Sequence, residues 1–262
     1  MSRGLDASVP NPARMWNYWL GGKDNFAADR VAGAQITDAL PTMPLVALGA
    51  RRFLIDAVHQ LVAEHGVRQF IDIGSGLPAA NNTHEVAQRV APDARVMYVD
   101  HDPVVINHGK ALLASRDGTT EIVQADLRDV DAIIAEAGKT LDFSQPIAVL
   151  LIGVLHFIPD AQDPYGIVAR LMALLPSGSY LVIGHGASDI EPAAAAELSR
   201  RYNELSPVKI RLRTRAEIVP FFDGLDPIGR GLVPLGQWWD DGPVNTDTAT
   251  GLVGHVGIAR KN

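Results

Sequence analysis

The stretch Gln69-Phe-Ile-Asp-Ile-Gly-Ser-Gly76 decides the fold of this chain. Its first five residues are mostly apolar and include the β-branched Ile71 and Ile73, which indicates a strand buried on both faces. Gly74 and Gly76 then end the strand, because residues without a Cβ reach positive φ and let a ligand lie against bare backbone. The stretch therefore predicts a strand that leads into an open glycine loop.

The helix after this loop is predicted to begin late. Residues 77–80 contain a proline and do not suit a helix interior, whereas Asn82, with Glu85 three positions later, has the pattern of a helix cap. A second predicted strand, residues 95–100, ends in Asp100. Parallel strands end at the same edge of a sheet, so we expect the glycine loop and the Asp100 carboxylate side by side, where doubly wound sheets bind nucleosides.

Two classes of nucleoside-containing ligand are consistent with this pattern. Gly74-Ser-Gly76-Leu-Pro-Ala79 satisfies the dinucleotide fingerprint G-x-G-x-x-A, and Asp100 follows at about the expected interval. That fingerprint needs the helix to begin on the glycines and face a pyrophosphate, whereas Pro78 and the Asn82 cap move the helix away. A ligand with a ribose and an adenine but no phosphate fits better, and S-adenosylmethionine is the common one. The alternative is that the glycines and the acid form only a tight turn.

Composition limits the class of protein. With 262 residues, of which 47% are hydrophobic, the chain can bury one large α/β core. The net charge of −7 argues against a nucleic-acid binder, because such proteins need basic surface to neutralise phosphates. Cysteine is absent, which excludes thiolate chemistry, and no spacing of His, Asp and Glu predicts a metal site. No apolar run is long enough for a membrane span and no signal sequence is evident, so we expect a soluble cytoplasmic protein.

Residues 1–44 are predicted to form a helical leader, or lid, ahead of a main domain of residues 45–262. The leader contains a short helix with three large aromatic side chains, Trp16, Tyr18 and Trp19. Aromatic faces attract a sulfonium cation, and a carboxylate needs a cation or bare amides. We therefore expect this leader to fold over the cofactor. The alternative is a surface helix whose aromatic side chains only cover the sheet edge.

The leader residues expected to contact the cofactor follow from this argument. They are Arg14 and Lys23 as cations for the methionine carboxylate, Gly22 as a source of bare backbone amide, and Tyr18 and Phe26 as pocket lining.

Beyond Asp100 the chain alternates predicted strands and helices. Further strands are predicted at residues 120–126, 146–153 and 178–185, and two closing strands at residues 232–238 and 251–259, separated by a loop at residues 240–247. This order predicts an α/β sandwich.

Five motifs along the chain belong together. They are Asn11-Pro-Ala-Arg14 through Leu20-Gly-Gly-Lys-Asp-Asn-Phe26, Asp72-Ile-Gly-Ser-Gly-Leu-Pro78, Tyr98-Val-Asp-His-Asp-Pro103, Ala125-Asp-Leu-Arg-Asp129 and Leu155-His-Phe-Ile-Pro-Asp160. In combination they resemble a bacterial family of S-adenosylmethionine-dependent methyltransferases, long catalogued as a domain of unknown function. The resemblance implies the α/β fold of class I methyltransferases: a Rossmann-like, seven-stranded, mostly parallel sheet with an antiparallel last strand and helices on both faces. It implies S-adenosyl-L-methionine as cofactor and leaves the acceptor open.

Carried over residue by residue, the resemblance places the cofactor along the ends of the central strands. The implied contacts are Gly74, Ser75 and Gly76 beneath the methionine and ribose, Asp100 at the ribose hydroxyls, His101 or Asp102 beside the adenine, Asp126 and the Leu127 amide at the adenine edge, and Gly153 after the fourth strand. Asp72 has two interpretations, direct contact with the cofactor or stabilisation of the glycine turn. A carboxylate can accept two hydroxyl protons and also favours a nearby sulfonium charge, which agrees with these roles.

His156 follows the fourth predicted strand, where a class I site opens toward the acceptor, and is the candidate general base. The alternative is a structural histidine. A sulfonium methyl is already activated, so the protein must mainly position the reactants, which is worth roughly 7–11 kcal/mol. The predicted activity is methyl transfer to a small-molecule acceptor. A cofactor-binding protein without catalysis and a nicotinamide-dependent oxidoreductase stay open as alternatives, and so does the oligomeric state, with a homodimer as one form.

Overall fold

The computed structural model describes residues 6–113, 118–239 and 251–262. Its helices are α1 (Pro12–Trp19), α2 (Ala27–Ala39), α3 (Met43–Ala63), α4 (Thr83–Val90), α5 (Pro103–Leu112), α6 (Val130–Ala137), α7 (Pro164–Ala173), α8 (Pro192–Leu205) and α9 (Arg215–Ile218). Its strands are β1 (Gln69–Ile73), β2 (Arg95–Asp100), β3 (Thr120–Gln124), β4 (Ala148–Ile152), β5 (Tyr180–Gly186), β6 (Leu225–Pro227), β7 (Val233–Pro234) and β8 (Gly254–Lys261). Among the helices in these ranges, none has the length and apolar character needed to cross a membrane.

The strands form one mixed sheet in the order β3-β2-β1-β4-β5-β8-β6. Strands β1 to β5 are parallel, and β8 is antiparallel to both β5 and β6. The two-residue β7 pairs with the first half of β8, beside β6. The predicted Rossmann-like sheet with an antiparallel last strand is therefore confirmed, and β7 is a short addition to its seven-stranded path.

Each face of the sheet carries its own hydrophobic core. Phe53 of α3 and Phe70 of β1 belong to one core, on the side of α1, α2, α3 and α8. Ile71 of β1 packs with Ile133 of α6 and Leu171 of α7 in the other. Consecutive residues of β1 enter different cores because side chains alternate across a strand. Helices on both faces were predicted and are confirmed.

The late start of the helix after the glycine loop is also confirmed. Helix α4 begins at Thr83, and the Asn82 backbone N–H donates to Glu85 Oε2 at 2.9 Å, which is half of the predicted capping box. The amino end of α4 is thus separated from the glycines by the loop that follows them. A pyrophosphate resting on the glycine loop would not meet this helix end.

The closing strands differ from the expectation. Of residues 232–238, only Val233–Pro234 pair with β8, and a 3-10 turn follows at Leu235–Gln237. The strand stops there because a proline has no N–H for the sheet ladder. Most of the pairing with β8 that was predicted for residues 232–238 is made by Leu225–Pro227. This segment lacks the alternation of apolar and polar residues that predicts a strand. The predicted loop at residues 240–247 lies outside the described residues.

Candidate active site

A cavity of about 280 Å³ opens at the edge where the parallel strands end. Its floor is formed by the carboxyl ends of β1, β2, β4 and β5 and by the amino end of β8. Strand β8 contributes its amino end because an antiparallel strand begins where its parallel neighbours finish. Helices α1, α3 and α8 supply the walls. Ligands of open α/β sheets bind at this edge.

The glycine loop has the open backbone that its sequence predicts. Gly74 has φ 71° and Gly76 has φ 65°, both in the left-handed region. A Cβ on Gly74 would lie 2.7 Å from the Val154 side chain, so only glycine fits there. A Cβ on Gly76 would meet no atom within 4 Å, so the space above Gly76 is free for a ligand.

The Asp100 carboxylate is fixed beside this loop. The Gly76 amide donates to its Oδ2 at 3.0 Å, and the Asp102 amide donates to its Oδ1 at 2.9 Å. Burial raises the pKa of Asp100, although the two amide hydrogen bonds act in the opposite direction. A carboxylate offers about four lone-pair positions, so Asp100 keeps acceptor capacity for ligand hydroxyls.

Asp102 and His101 flank Asp100 on the cavity wall. Asp102 caps α5 through a hydrogen bond from the Val104 amide to Oδ1 at 2.8 Å, and its Oδ2 accepts a hydrogen bond from the Asn11 side chain of the leader. The His101 ring is largely exposed, with its Nδ1 3.6 Å from Asp100 Oδ1. Asp102 is therefore held from both sides, whereas His101 can still turn.

The next predicted contacts follow β3 and β4. Asp126 is paired with Arg128, whose backbone amide and Nη1 each lie 2.9 Å from a carboxylate oxygen of Asp126. Leu127 is buried beside it. Gly153 has φ 75°, and a Cβ there would meet nothing within 4 Å, which leaves a second stretch of open backbone.

Asp72 lies inside β1, beneath the glycine loop. Thr83 at the start of α4 donates to its Oδ2 at 2.6 Å. Burial raises the pKa of Asp72 to about 6, against the Thr83 hydrogen bond and the positive charge of Arg51. Asp72 lines the cavity and also ties α4 to β1, so the geometry is compatible with both interpretations of this residue.

The structure thus brings ten of the predicted cofactor contacts and the candidate base to one cavity. They are Asp72, Gly74, Ser75, Gly76, Asp100, His101, Asp102, Asp126, Leu127 and Gly153, together with His156.

Five leader residues are not among them, and Arg14 requires a correction. Arg14 is 3% exposed and its Nε donates to Asp29 Oδ2 at 2.7 Å, while its Nη2 donates to the Asp6 and Val9 carbonyls. These bonds occupy the guanidinium within the leader. Arg14 therefore does not reach the cavity to bind a carboxylate, and Lys23 is exposed away from it.

The glycine run of the leader is a closed turn. The Gly22 amide donates to the Asn17 carbonyl at 2.8 Å, and Asn25 Nδ2 donates to Asn17 Oδ1 at 2.8 Å. A Cβ on Gly22 would collide with the Asn17 side chain. Packing and these hydrogen bonds explain the glycine, so Gly22 offers no amide to the cavity.

Tyr18 and Phe26 also lie elsewhere. Tyr18 packs over α2, where a Cβ on Gly33 would be 2.6 Å from its ring, and Phe26 is 37% exposed beneath the Arg14 guanidinium. The cavity face of α1 instead presents Trp16 and Trp19. Residues three or four apart share one face of a helix, so a helical projection of the leader would have separated these two tryptophans from Tyr18.

Arg51 is a wall residue that the sequence did not indicate. It lies on α3, and its Nη2 donates to the Ala80 carbonyl at 3.1 Å and approaches Asn82 Oδ1 at 3.3 Å. Its Nε is enclosed with no hydrogen-bond partner in the part of the chain that the structure describes. Burial lowers the pKa of Arg51, and the nearby Asp72 charge opposes that effect. Nothing in the amphipathic pattern of α3 distinguishes Arg51 from a surface arginine.

Arg213 organises the turn that carries His156. It is 0% exposed, and its guanidinium donates to the Leu155 carbonyl at 3.0 Å and to the Ile158 carbonyl at 2.8 Å. The same group pairs with Asp160 Oδ1 at 2.7 Å. The residues from Leu155 to Asp160 thus surround one buried cation, and nothing in the run Arg211-Leu-Arg-Thr-Arg215 predicts which arginine is buried.

The two histidines near Arg213 are neutral. Burial lowers the pKa of His156 to about 4, with the Arg213 charge as a second cause. His185 donates from Nδ1 to the Gly186 carbonyl at 2.8 Å, so its Nε2 lone pair accepts from Arg213 at 3.0 Å. Burial also lowers the pKa of His185 well below its ordinary value. With this pKa, the His156 ring at neutral pH keeps one N–H and one nitrogen lone pair and carries no charge.

Comparisons with known proteins agree on one family. A family model described as S-adenosyl methyltransferase matches residues 1–262. A solved DUF574-family protein of Streptomyces avermitilis is 38% identical, with a TM-score of 0.92 over 98% of this chain and 99% of its own. A solved structure of a Thermobifida fusca protein, which carries a provisional methyltransferase name, is 39% identical, with a TM-score of 0.91 over 99% of this chain and 98% of its own.

A curated protein of Mycolicibacterium smegmatis, provisionally named as an S-adenosyl-L-methionine-dependent methyltransferase, is 30% identical over 201 residues. The match covers 71% of this chain and 64% of that protein, so the chain spans less than two thirds of its length.

Proposed function

Because this chain belongs to the S-adenosyl methyltransferase family, we propose that it transfers the methyl group of S-adenosyl-L-methionine to a small-molecule acceptor held in the cavity. The observation that carries this function is the Asp100 carboxylate, fixed by the Gly76 and Asp102 amides at the end of β2. A carboxylate held in this way is ready to receive ribose hydroxyls before a ligand arrives, which lowers the ordering cost of binding.

The residues at this end of the cavity fit the cofactor. The open backbone above Gly76 and Gly153 leaves room for a ligand against the main chain. Asp100 offers acceptors for hydroxyls, and Asp102 and Leu127 border the place assigned to the adenine. When bound, S-adenosylmethionine supplies an activated methyl group on a cationic sulfur. The wall of carboxylates favours that positive charge.

We assign the methionine carboxylate of the cofactor to Arg51 in place of Arg14 and Lys23. Arg51 lines the cavity near Asp72, and its hydrogen bonds to Ala80 and Asn82 both use Nη2. A guanidinium carries five N–H donors and can bind a carboxylate through two of them at once. This assignment supports a cofactor with a free amino-acid end.

The leader, residues 1–44, is proposed as a lid over this cavity. Helix α1 contributes Trp16 and Trp19 to the wall, and Asn11 binds Asp102 at the cofactor end. Closure by such an element excludes water from the reacting groups. The cavity volume of about 280 Å³ favours a small acceptor over a nucleic acid, and a cytoplasmic location belongs to the same proposal.

Binding without catalysis is the second candidate function, since the pKa of His156 near 4 leaves the site without a strong base. A methyl acceptor that is already a nucleophile needs none. A nicotinamide cofactor is disfavoured because α4 begins only at Thr83, away from the glycines.

Thermal shift and calorimetry with three ligands test the cofactor. S-adenosylmethionine and S-adenosylhomocysteine should raise the melting temperature, whereas NAD should not. Stabilisation by NAD, or the absence of binding by both sulfur compounds, would contradict the proposal. Incubation with methyl-labelled cofactor and a fractionated cell extract then tests the acceptor. Label in the small-molecule fraction supports the proposed class, label in protein or nucleic acid contradicts it, and cofactor binding without transfer supports the second candidate.

A further inference from the structure

Given the proposed function, on which this inference rests, we propose that the cavity end beyond His156 is the acceptor subsite and takes an uncharged, largely apolar molecule. The acceptor presents one nucleophilic, hydrogen-bonding atom to His156.

The walls of this end are hydrophobic. They are formed by Trp16 of α1, Leu198 and Tyr202 of α8, Leu212, Leu235 and Val253. Each of these except Trp16 is less than a tenth exposed. Tyr202 keeps its proton, because burial raises the pKa of its hydroxyl. An apolar molecule in contact with these walls is stabilised by the surface it removes from water.

Charged side chains line only the other end of the cavity within the described ranges. The lining carboxylates and guanidinium groups are Arg51, Asp72, Asp100, Asp102, Asp126 and Arg128. All six lie around the ends of β1, β2 and β3 and the loop before α4. The two ends therefore differ in chemistry, with polar groups for a charged cofactor and apolar groups for its co-substrate.

The histidines do not place an uncompensated charge at the apolar end. His156 and His185 are neutral, since burial lowers the pKa of each and Arg213 reinforces the effect. His255 lies on the same wall with its Nε2 2.8 Å from Asp189 Oδ1, so this ring nitrogen is already engaged by a carboxylate outside the cavity lining. A charged acceptor would lose its hydration here and find no counterion.

His156 stands at the boundary between the two ends. It follows β4, which lies two strands from β2 and two strands from β8 in the sheet order. Neighbouring strands are about 4.8 Å apart, so β2 and β8 are separated by about 19 Å, with His156 near the middle. Its Nδ1 is enclosed without a partner in the described chain, and the residue lines the cavity, which leaves Nε2 as the ring nitrogen for a ligand. Nε2 can therefore meet one polar atom of an otherwise apolar ligand.

The acceptor, the cofactor and His156 together account for every bond and proton that changes in the methyl transfer. The acceptor atom supplies the electron pair of the new bond to the methyl carbon, while the carbon–sulfur bond breaks and leaves its pair on sulfur. A proton on the acceptor atom becomes acidic as that bond forms, so the neutral His156 Nε2 can take it and release it to water. No further reactant is needed.

Three probes of the same shape and different charge test the inference. 2-Naphthol is uncharged at pH 7, 2-naphthoate is an anion and 2-naphthylmethylammonium is a cation. Calorimetry on the wild-type protein saturated with S-adenosylhomocysteine should show 2-naphthol binding at least tenfold more tightly than either ion. Equal or tighter binding of an ion, or no binding of 2-naphthol at its solubility limit, would overturn the inference.

A matched pair of variants locates the site. Val208 lines the cavity beside α8, whereas Val90 ends α4 and is 41% exposed outside it. Val208→Trp should weaken 2-naphthol at least tenfold and Val90→Trp should leave it unchanged, with S-adenosylhomocysteine affinity preserved in both. Unchanged 2-naphthol binding in folded Val208→Trp would place the probe elsewhere and overturn the inference.

Binding of the three probes to the wild-type protein still tests the inference if Val208→Trp does not fold. Failure of the wild-type protein to bind S-adenosylhomocysteine would instead contradict the proposed function. Failure of the proposed function is therefore distinguishable from failure of the acceptor inference.

Discussion

Asn11 and Asp102 are joined by a hydrogen bond across 91 positions of sequence, with Asn11 Nδ2 2.5 Å from Asp102 Oδ2. Asn11 also caps α1 by accepting from the Arg14 amide, and Asp102 caps α5 by accepting from the Val104 amide. One bond therefore connects the starts of two helices, α1 of the leader and α5 after β2. It fixes α1 next to the Asp100 carboxylate.

Replacing Asn11 by Asp separates the two roles of this residue. Aspartate is as good a helix cap as asparagine, but it places a second carboxylate against Asp102. We expect S-adenosylhomocysteine to bind Asn11→Asp roughly fivefold more weakly, about 1 kcal/mol, and the amides of α1 to exchange hydrogen faster. Asn11→Ser keeps the cap without the added charge and should lose less affinity. Equal affinity of wild type and Asn11→Asp would show that the bond does not support the cavity.

Asp100→Ala should weaken binding of S-adenosylhomocysteine at least tenfold by calorimetry. Two hydrogen bonds to a charged acceptor are proposed, each worth roughly 1.5–3 kcal/mol. Asp100→Asn should be milder because the amide oxygen still accepts. Asp93, whose side chain is 80% exposed at the opposite edge of the sheet, gives the control Asp93→Ala. A folded Asp100→Ala protein with wild-type affinity would remove the ribose assignment.

Asp72→Asn should stabilise the protein at pH 7.5 and leave it unchanged near pH 4. Burial raises the pKa of Asp72 from 3.8 to about 6, so the folded protein holds this proton at higher pH than the unfolded chain does. The stability that the protonated form contributes is present below about pH 4 and lost as pH rises through 6, a difference of about 3 kcal/mol.

Urea denaturation at several pH values measures the Asp72 effect, with Asp93→Asn as the exposed control. Asparagine keeps an acceptor for Thr83, so the Thr83 hydrogen bond to Oδ2 need not be lost. A stability difference that is constant from pH 4 to pH 7.5 would argue against a carboxyl titrating in this range.

The His156 ring should stay neutral from pH 5.5 to 8. Burial lowers the pKa of His156 to about 4, so protonation begins only below that window. Because the folded pKa is depressed, the stability linked to the neutral ring is present above about 6.5 and is lost as pH falls toward 4. The ¹³Cε1 resonance, assigned by its disappearance in His156→Gln, should be flat across the window. A titration midpoint between 6 and 7 would restore His156 as an ordinary general base.

Arg213→Met should lower the free energy of unfolding by about 3 kcal/mol, because it removes the cation around which a buried turn is hydrogen-bonded. The expected loss is no larger because Asp160 is 52% exposed and regains water. Arg211 also pairs with Asp160 but is 40% exposed, so Arg211→Met should change stability by at most about 1 kcal/mol. Equal effects of the two substitutions would contradict the special place of Arg213.

Local signals predicted much of the fold. The apolar run before Gly74, the late cap at Asn82 and the acid at the end of β2 each depend on neighbours a few positions away, and each is confirmed. The closing strands depended on partners far along the chain, so Leu225–Pro227, which has no alternation of its own, was missed.

The site divides in the same way. Residues on the glycine loop and at strand ends are placed by the sheet itself, so their positions followed from the sequence. Arg14 forms an ion pair with Asp29 inside the leader and not with a ligand in the cavity. The composition of the leader does not reveal this pairing. Arg51 and Arg213 acquire their roles only through burial against distant segments, and no spacing in the sequence marks them.

The cavity of a nascent chain cannot be complete until β8 has been synthesised, because residues of β8 line it. Strand β8 is the last strand of the sheet to leave the ribosome, yet it lies between β5 and β6. Until it emerges, β5 is an unpaired edge strand, and such edges invite association with other chains. The cavity wall at Val253 and His255 is absent during that interval. A nascent chain that lacks β8 therefore exposes a half-built sheet, and the arrival of β8 both covers the β5 edge and completes the cavity wall.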